Sequence, residues 1–76
     1  MATNGNGMVA VVIPANGRGN THHVLDDYED PRRGSRAFWK TACGKDASEW
    51  NRAEDQNIAI FMSSGFACQR CLNIII

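Results

Sequence analysis

Five residues of this chain have the chemistry to bind a metal ion together: Cys43, Cys68, Cys71 and the adjacent pair His22 and His23. Cys68 and Cys71 are separated by Gln69 and Arg70. That spacing lets both sulfurs converge on one tetrahedral ion and is typical of structural zinc sites. Redox proteins use the same spacing, but in the strand-then-helix setting of a thioredoxin-like fold, for which 76 residues are too few. A redox pair would also leave Cys43 without a role. Cys43 lies in Thr41-Ala42-Cys43-Gly44-Lys45, where a glycine directly after the cysteine permits a tight turn with backbone N–H groups aimed at a thiolate, and Lys45 offsets negative charge. The competing reading of Cys43 is a small buried hydrophobe. Three sulfurs leave a tetrahedral shell one ligand short, to be supplied by His22, His23 or a carboxylate. If residues 21–25 form a strand, the two imidazoles point to opposite faces, so one joins the site and parity alone does not say which.

The chain has reason to need such a site. A 76-residue protein buries a modest share of its surface, and residues 1–7 are read as a flexible arm with little to bury. The remaining domain, 8–76, falls in the size range where natural proteins add a disulfide framework, a metal or an oligomeric interface. Three cysteines, an odd number, argue against disulfides. No run of about 18 apolar residues suits a membrane span, and no basic region leads into an apolar one as in a secretory signal. The expected compartment is therefore a reducing cytoplasm, where metal or redox chemistry accounts for cysteines better than disulfides do.

Around these residues the sequence predicts a small zinc-stabilised α+β or mostly β module of zinc-ribbon or treble-clef type, built of hairpins and a short helical turn. Residues 8–13, Met-Val-Ala-Val-Val-Ile, suit a strand. Pro14 ends it, Asn16-Gly17 and Gly19 supply turn chemistry, and 21–25 returns as the second strand of a hairpin. The charged stretch 26–35 holds Pro31 and Gly34 and reads as an exposed loop. Residues 36–43 read as a strand entering a turn at Gly44, and 46–56 as one or two helical turns capped by Asp46 or Ser48. Residues 58–62 read as a further apolar strand, and 68–76 as either a helical turn or a last strand. Three terminal isoleucines would be an aggregation hazard if exposed, which predicts that they pack in the core or against a partner.

The order of His23-Val24-Leu25, Thr41-Ala42-Cys43-Gly44-Lys45 and Cys68-Gln69-Arg70-Cys71-Leu72 resembles small zinc-finger-like proteins of actinobacteria and their phages. These carry a histidine followed by two apolar residues on an early strand, a Thr-x-Cys-Gly turn and a C-terminal Cys-x-x-Cys-Leu. The resemblance runs from His23 to Leu72. It implies one structural zinc held by His23, Cys43, Cys68 and Cys71, a bacterial or phage source, and nothing about activity. The same resemblance tips the histidine choice to His23. A Cys3His site would supply on the order of 10 to 16 kcal/mol of apparent binding energy at neutral pH.

Catalysis is not expected. A catalytic zinc keeps an open position, whereas four protein ligands close the shell. A deaminase-like site needs His-x-Glu ahead of Pro-Cys-x-x-Cys, but neither histidine has a glutamate two residues on, and Ala67 precedes Cys68. Eight basic and eight acidic residues give zero net charge, which disfavours a generally basic nucleic-acid binder. The charges are segregated nonetheless: Asp26, Asp27, Glu29 and Asp30 precede Arg32, Arg33 and Arg36. Arg32, Arg33, Arg36 and Trp39 are the candidate interaction surface. A protein partner is the favoured reading, as for a host-directed effector or inhibitor. A nucleic acid read by the arginines, Lys40 and Lys45 with Phe38 and Trp39 stacking on bases, or a structural role in a virion or assembly, are the alternatives, and the oligomeric state is left open.

Overall fold

The computed structural model describes residues 2–15, 21–33 and 35–76. The apolar run 8–13 forms two short strands, β1 (Met8–Val9) and β2 (Val11–Ile13), and side chains alternate along it as extended backbone requires. Val9 and Val11 point into one buried cluster with Val24, Phe61, Ala67, Cys68, Cys71 and Leu72. Ala10 and Val12 point into a second, with Leu25, Tyr28, Trp39 and Ala47. The run is thus buried on both faces, which explains why it is apolar throughout rather than alternating.

β3 (His23–Val24) pairs antiparallel with β2, placing Val24 opposite Val11 and His23 opposite Val12. This is the expected pairing of a hairpin; its turn residues, Asn16, Gly17 and Gly19, lie outside the described residues, as does Gly34. The free edge of β2 is filled by β4 (Asn51–Arg52), giving a three-stranded sheet in the order β3-β2-β4. β5 (Gln56–Asn57) pairs with β1 in a second, two-stranded sheet. Within the segment read as a flexible arm, the Asn4 side chain accepts hydrogen bonds from the Asn6 and Met8 amides at 2.8 and 2.9 Å and closes a turn.

Several local expectations are overturned, each for a tertiary reason. Residues 46–56 form no helix. Asp46 does accept a backbone hydrogen bond, from Ser48 at 2.9 Å, but it caps a turn, and the chain beyond is drawn into β4 and β5 because the backbone of β2 needs partners: the Ala53 amide donates to the Val11 carbonyl at 3.0 Å. Residues 58–62, read as a strand, open helix α1 (Ile58–Ser63), with the Asn57 side chain accepting from the Ala59 amide. A five-residue apolar run carries no period long enough to separate helix from strand, and the cap decides. Residues 36–38 form a 3-10 turn rather than a strand, and extended backbone begins only at Trp39, whose carbonyl accepts the Ala47 amide. The charged loop includes a 3-10 turn at Asp30–Arg32 and is not wholly exposed, since Tyr28 is buried. The C-terminal segment takes the helical option as α2 (Gln69–Ile75). Of the terminal isoleucines, Ile75 packs on the first cluster while Ile74 and Ile76 stand exposed.

Phe61 is the largest side chain with no exposed surface, and it is the one buried residue of α1. Phe61→Ala is expected to cost about 3–5 kcal/mol. The check is the denaturant midpoint, which should fall with an unchanged slope.

Candidate metal centre

β3 assembles this site through its backbone. Along a strand, alternate residues direct N–H and C=O to opposite edges. His23 and Leu25 face β2, and the Leu25 amide donates to the Ala10 carbonyl. His22 and Val24 face the other edge, where three hydrogen bonds recruit the cysteine segments. The His22 amide donates to the Phe66 carbonyl at 2.7 Å, and the Cys68 amide donates to the His22 carbonyl at 2.8 Å. The Ala42 amide donates to the Val24 carbonyl at 2.8 Å. Cys68 and the turn bearing Cys43 are therefore docked beside the strand that carries His23.

The turn itself is tied by residues the spacing alone did not single out. Thr41 is buried, and its hydroxyl oxygen accepts the Lys45 amide at 2.9 Å while lying 3.1 Å from Cys43 Sγ. Gly44 adopts φ +93°, a conformation that favours glycine, which is why the Cys-Gly pair belongs here. Cys68 caps the start of α2, and Cys71 follows in its first turn, fully buried.

One ligand atom from each of His23, Cys43, Cys68 and Cys71 lies within 4.8 Å of all the others. His23 Nδ1 is 3.6 Å from Cys43 Sγ and 3.8 Å from Cys71 Sγ. With Zn–S near 2.3 Å and Zn–N near 2.0–2.1 Å, a regular tetrahedron has N···S edges of about 3.6 Å and S···S edges of about 3.8 Å. The four residues thus have the spacing to hold one metal ion. All three cysteines are free thiols. No family model, curated protein or solved structure matches the chain.

Burial and neighbouring groups set the protonation of the four side chains. Burial, then the charge of Lys45 and the neighbouring His22, depress the His23 pKa and keep its imidazole neutral, the form that ligates. Burial pushes the Cys71 thiol up to about 12. Burial acts the same way on Cys43, but the Thr41 hydroxyl, the Cys71 and Cys68 sulfurs and the Lys45 amide outweigh it and hold that thiol below its ordinary value. A bound divalent ion would deprotonate all three.

His22 takes no part in the cluster. Its ring tilts against Phe66, with centroids 5.7 Å apart. The His23 ring instead meets Trp50 at 5.0 Å, a contact no sequence signal announced, since Trp50 lies in the segment read as helical.

The candidate interaction surface is rearranged. Arg32 reaches Asp55 at 3.0 Å and donates to the Tyr28 hydroxyl and carbonyl. Arg33 pairs with Asp27 and Asp30. Arg36 donates to the Trp50 carbonyl and covers the Trp39 ring. Trp39 itself is buried, and its neighbour Phe38 is the exposed aromatic, at 81%. Asp55 gathers Arg32, Arg52 and the Tyr28 hydroxyl. Burial works against its ionised form, yet those three donors prevail and lower its pKa. Asp55→Ala is expected to cost about 1–2 kcal/mol by removing the acceptor shared by the Tyr28 hydroxyl, Arg32 and Arg52, read as a lower denaturant midpoint with unchanged slope.

Proposed function

We propose that the chain is a non-catalytic zinc-binding module that acts by contacting another protein. The observation that carries the zinc reading is the set of four ligand atoms within 4.8 Å, with N···S spacings that fit a zinc tetrahedron. Three sulfurs and one imidazole suit zinc better than calcium or magnesium, which take oxygen ligands. Four protein ligands fill a tetrahedral shell and leave no position for substrate. A pair of ligands at the start of a helix, completed by a turn and a strand, fits a treble-clef-like plan.

The partner reading rests on what the surface offers. Arg32, Arg33 and Arg36 are engaged by groups of this same chain, which leaves fewer free cations to meet phosphate. Phe38, Ile60, Phe66, Ile74 and Ile76 are more than half exposed, a supply of apolar contacts for a protein. The bacterial or phage source comes from the resemblance of the His23, Cys43 and Cys68–Cys71 motifs, the host-directed role is a reading that fits so small a chain, and both belong to the same proposal.

Native mass spectrometry of protein expressed with zinc tests the metal. One zinc per chain is expected, with all three thiols deprotonated on the ion and protected from alkylation. A chain that emerges metal-free, or holds zinc with all thiols free to alkylate, would reject the reading.

A further inference from the structure

We infer that the metal site is also a peroxide-sensitive switch, in which oxidation joins Cys43 to Cys68 and expels the ion. The inference rests on the zinc reading above and adds a regulation of that same site. A recess of about 340 Å³ opens over the cluster and is lined by Thr21, His23, Cys43, Lys45, Cys68 and Arg70, with Pro14 at its rim. Cys71 is fully buried and does not line it. The recess therefore gives a small oxidant access to two of the three sulfurs. Of these, Cys43 is the more exposed. The two sulfurs lie within 4.8 Å, and a disulfide needs about 2.05 Å. Neither cysteine sits inside a helix or strand: Cys43 is in the Gly44 turn and Cys68 precedes α2. A change of side-chain rotamer moves either sulfur and leaves the backbone hydrogen bonds of Cys68 to His22 and Leu72 in place.

Lys45 and Arg70 give the recess its charge. Among the described residues neither makes a side-chain hydrogen bond or ion pair, in contrast to Arg32, Arg33, Arg36 and Arg52. Positive charge in the recess stabilises the hydroxide that leaves when a peroxide O–O bond breaks.

The steps balance with hydrogen peroxide as the oxidant. Cys43 thiolate attacks one peroxide oxygen, the O–O bond breaks, and the departing hydroxide takes a proton from solvent. This gives a sulfenic acid and one water. Cys68 thiolate then attacks the sulfenic sulfur, the S–O bond breaks, and a second hydroxide leaves and is protonated. Two thiolates lose two electrons in all, and peroxide with two protons becomes two waters. Two of the four ligands are gone, so the zinc departs.

The test uses the zinc-loaded full chain, hydrogen peroxide and a zinc-responsive dye. Trypsin cuts after Lys40, Lys45, Arg52 and Arg70, which places Cys43 on 41–45, Cys68 on 53–70 and Cys71 on 71–76. The expected result is one zinc released per two thiols lost, a cross-link between 41–45 and 53–70, and recovery of zinc binding after dithiothreitol. A cross-link between 53–70 and 71–76, irreversible sulfinic acid without disulfide, or zinc retained while thiols oxidise would each overturn the inference. The double variant Lys45→Ala/Arg70→Ala removes two exposed side chains that are not ligands, so it should hold one zinc. Its release should slow by about 5-fold, or about 1 kcal/mol at 1.36 kcal/mol per tenfold. An unchanged rate would overturn the recess as the route. If the untreated protein binds no zinc, the zinc reading fails; if it binds one and peroxide leaves it in place, the switch alone fails.

Discussion

Stripping the metal with a strong chelator is expected to unfold this protein, and restoring zinc to refold it. The cluster ties together three segments, beyond the backbone hydrogen bonds that dock them: β3 at His23, the turn at Cys43 and the start of α2 at Cys68 and Cys71. The regular elements are short, two to three residues in the strands and six or seven in the helices. An isolated helix of that length is not stable in water, and a chain of this size is marginal on hydrophobic burial. Against this, a structural zinc contributes on the order of 10–16 kcal/mol of apparent binding energy at pH 7, comparable to or larger than the whole stability of a typical domain. Without the ion, the four polar ligand atoms lose their common partner. Circular dichroism with and without chelator reads the outcome, and a folded, zinc-free spectrum would reject it. Trp50 fluorescence gives an independent signal, since its ring lies against His23.

The two adjacent histidines should behave in opposite ways. His23→Ala removes a ligand and is expected to weaken zinc binding by more than about 100-fold, since losing even an outer-shell partner costs about 10–100-fold. His22→Ala should leave one zinc per chain. The work of His22 is done by its backbone, through the Phe66 carbonyl and the Cys68 amide, and alanine keeps both groups. What is lost is the ring contact with Phe66. Competition against a chelator of known affinity measures both variants. Equal loss in the two, or loss in His22→Ala alone, would refute the assignment. Cobalt substitution offers a second readout, because sulfur-to-cobalt charge transfer should persist in His22→Ala.

Legibility from sequence was uneven along this chain. The apolar run 8–13 and its partner at 21–25 were readable because both are β-branched and carry turn residues between them. The stretch 46–62 was not. Its helix-like caps and strand-like apolar run gave the opposite of what forms, because β1 and β2 present backbone edges that only 51–57 can fill, and because Asn57 starts a helix where the strand ends. The arginine run was legible as charge but not as commitment: Asp55, which engages Arg32, stands 23 residues away in sequence.

By itself, the sequence determined the ligand chemistry. Three cysteines and a histidine pair in a chain short of core, with Cys-Gly and Cys-x-x-Cys spacing, point to a sulfur-rich cluster that could hold one metal ion, because spacing and side-chain type govern how thiolates can converge. Strand parity excluded one histidine without naming it. Only the tertiary structure decided that His23 is the one, because the outer edge of β3 binds the cysteine segments through the backbone of His22 and Val24, while the His23 ring alone reaches their sulfurs. It also decided that the site opens to solvent over Cys43 and Cys68 and closes over Cys71. That asymmetry depends on how distant segments pack, and no local pattern encodes it.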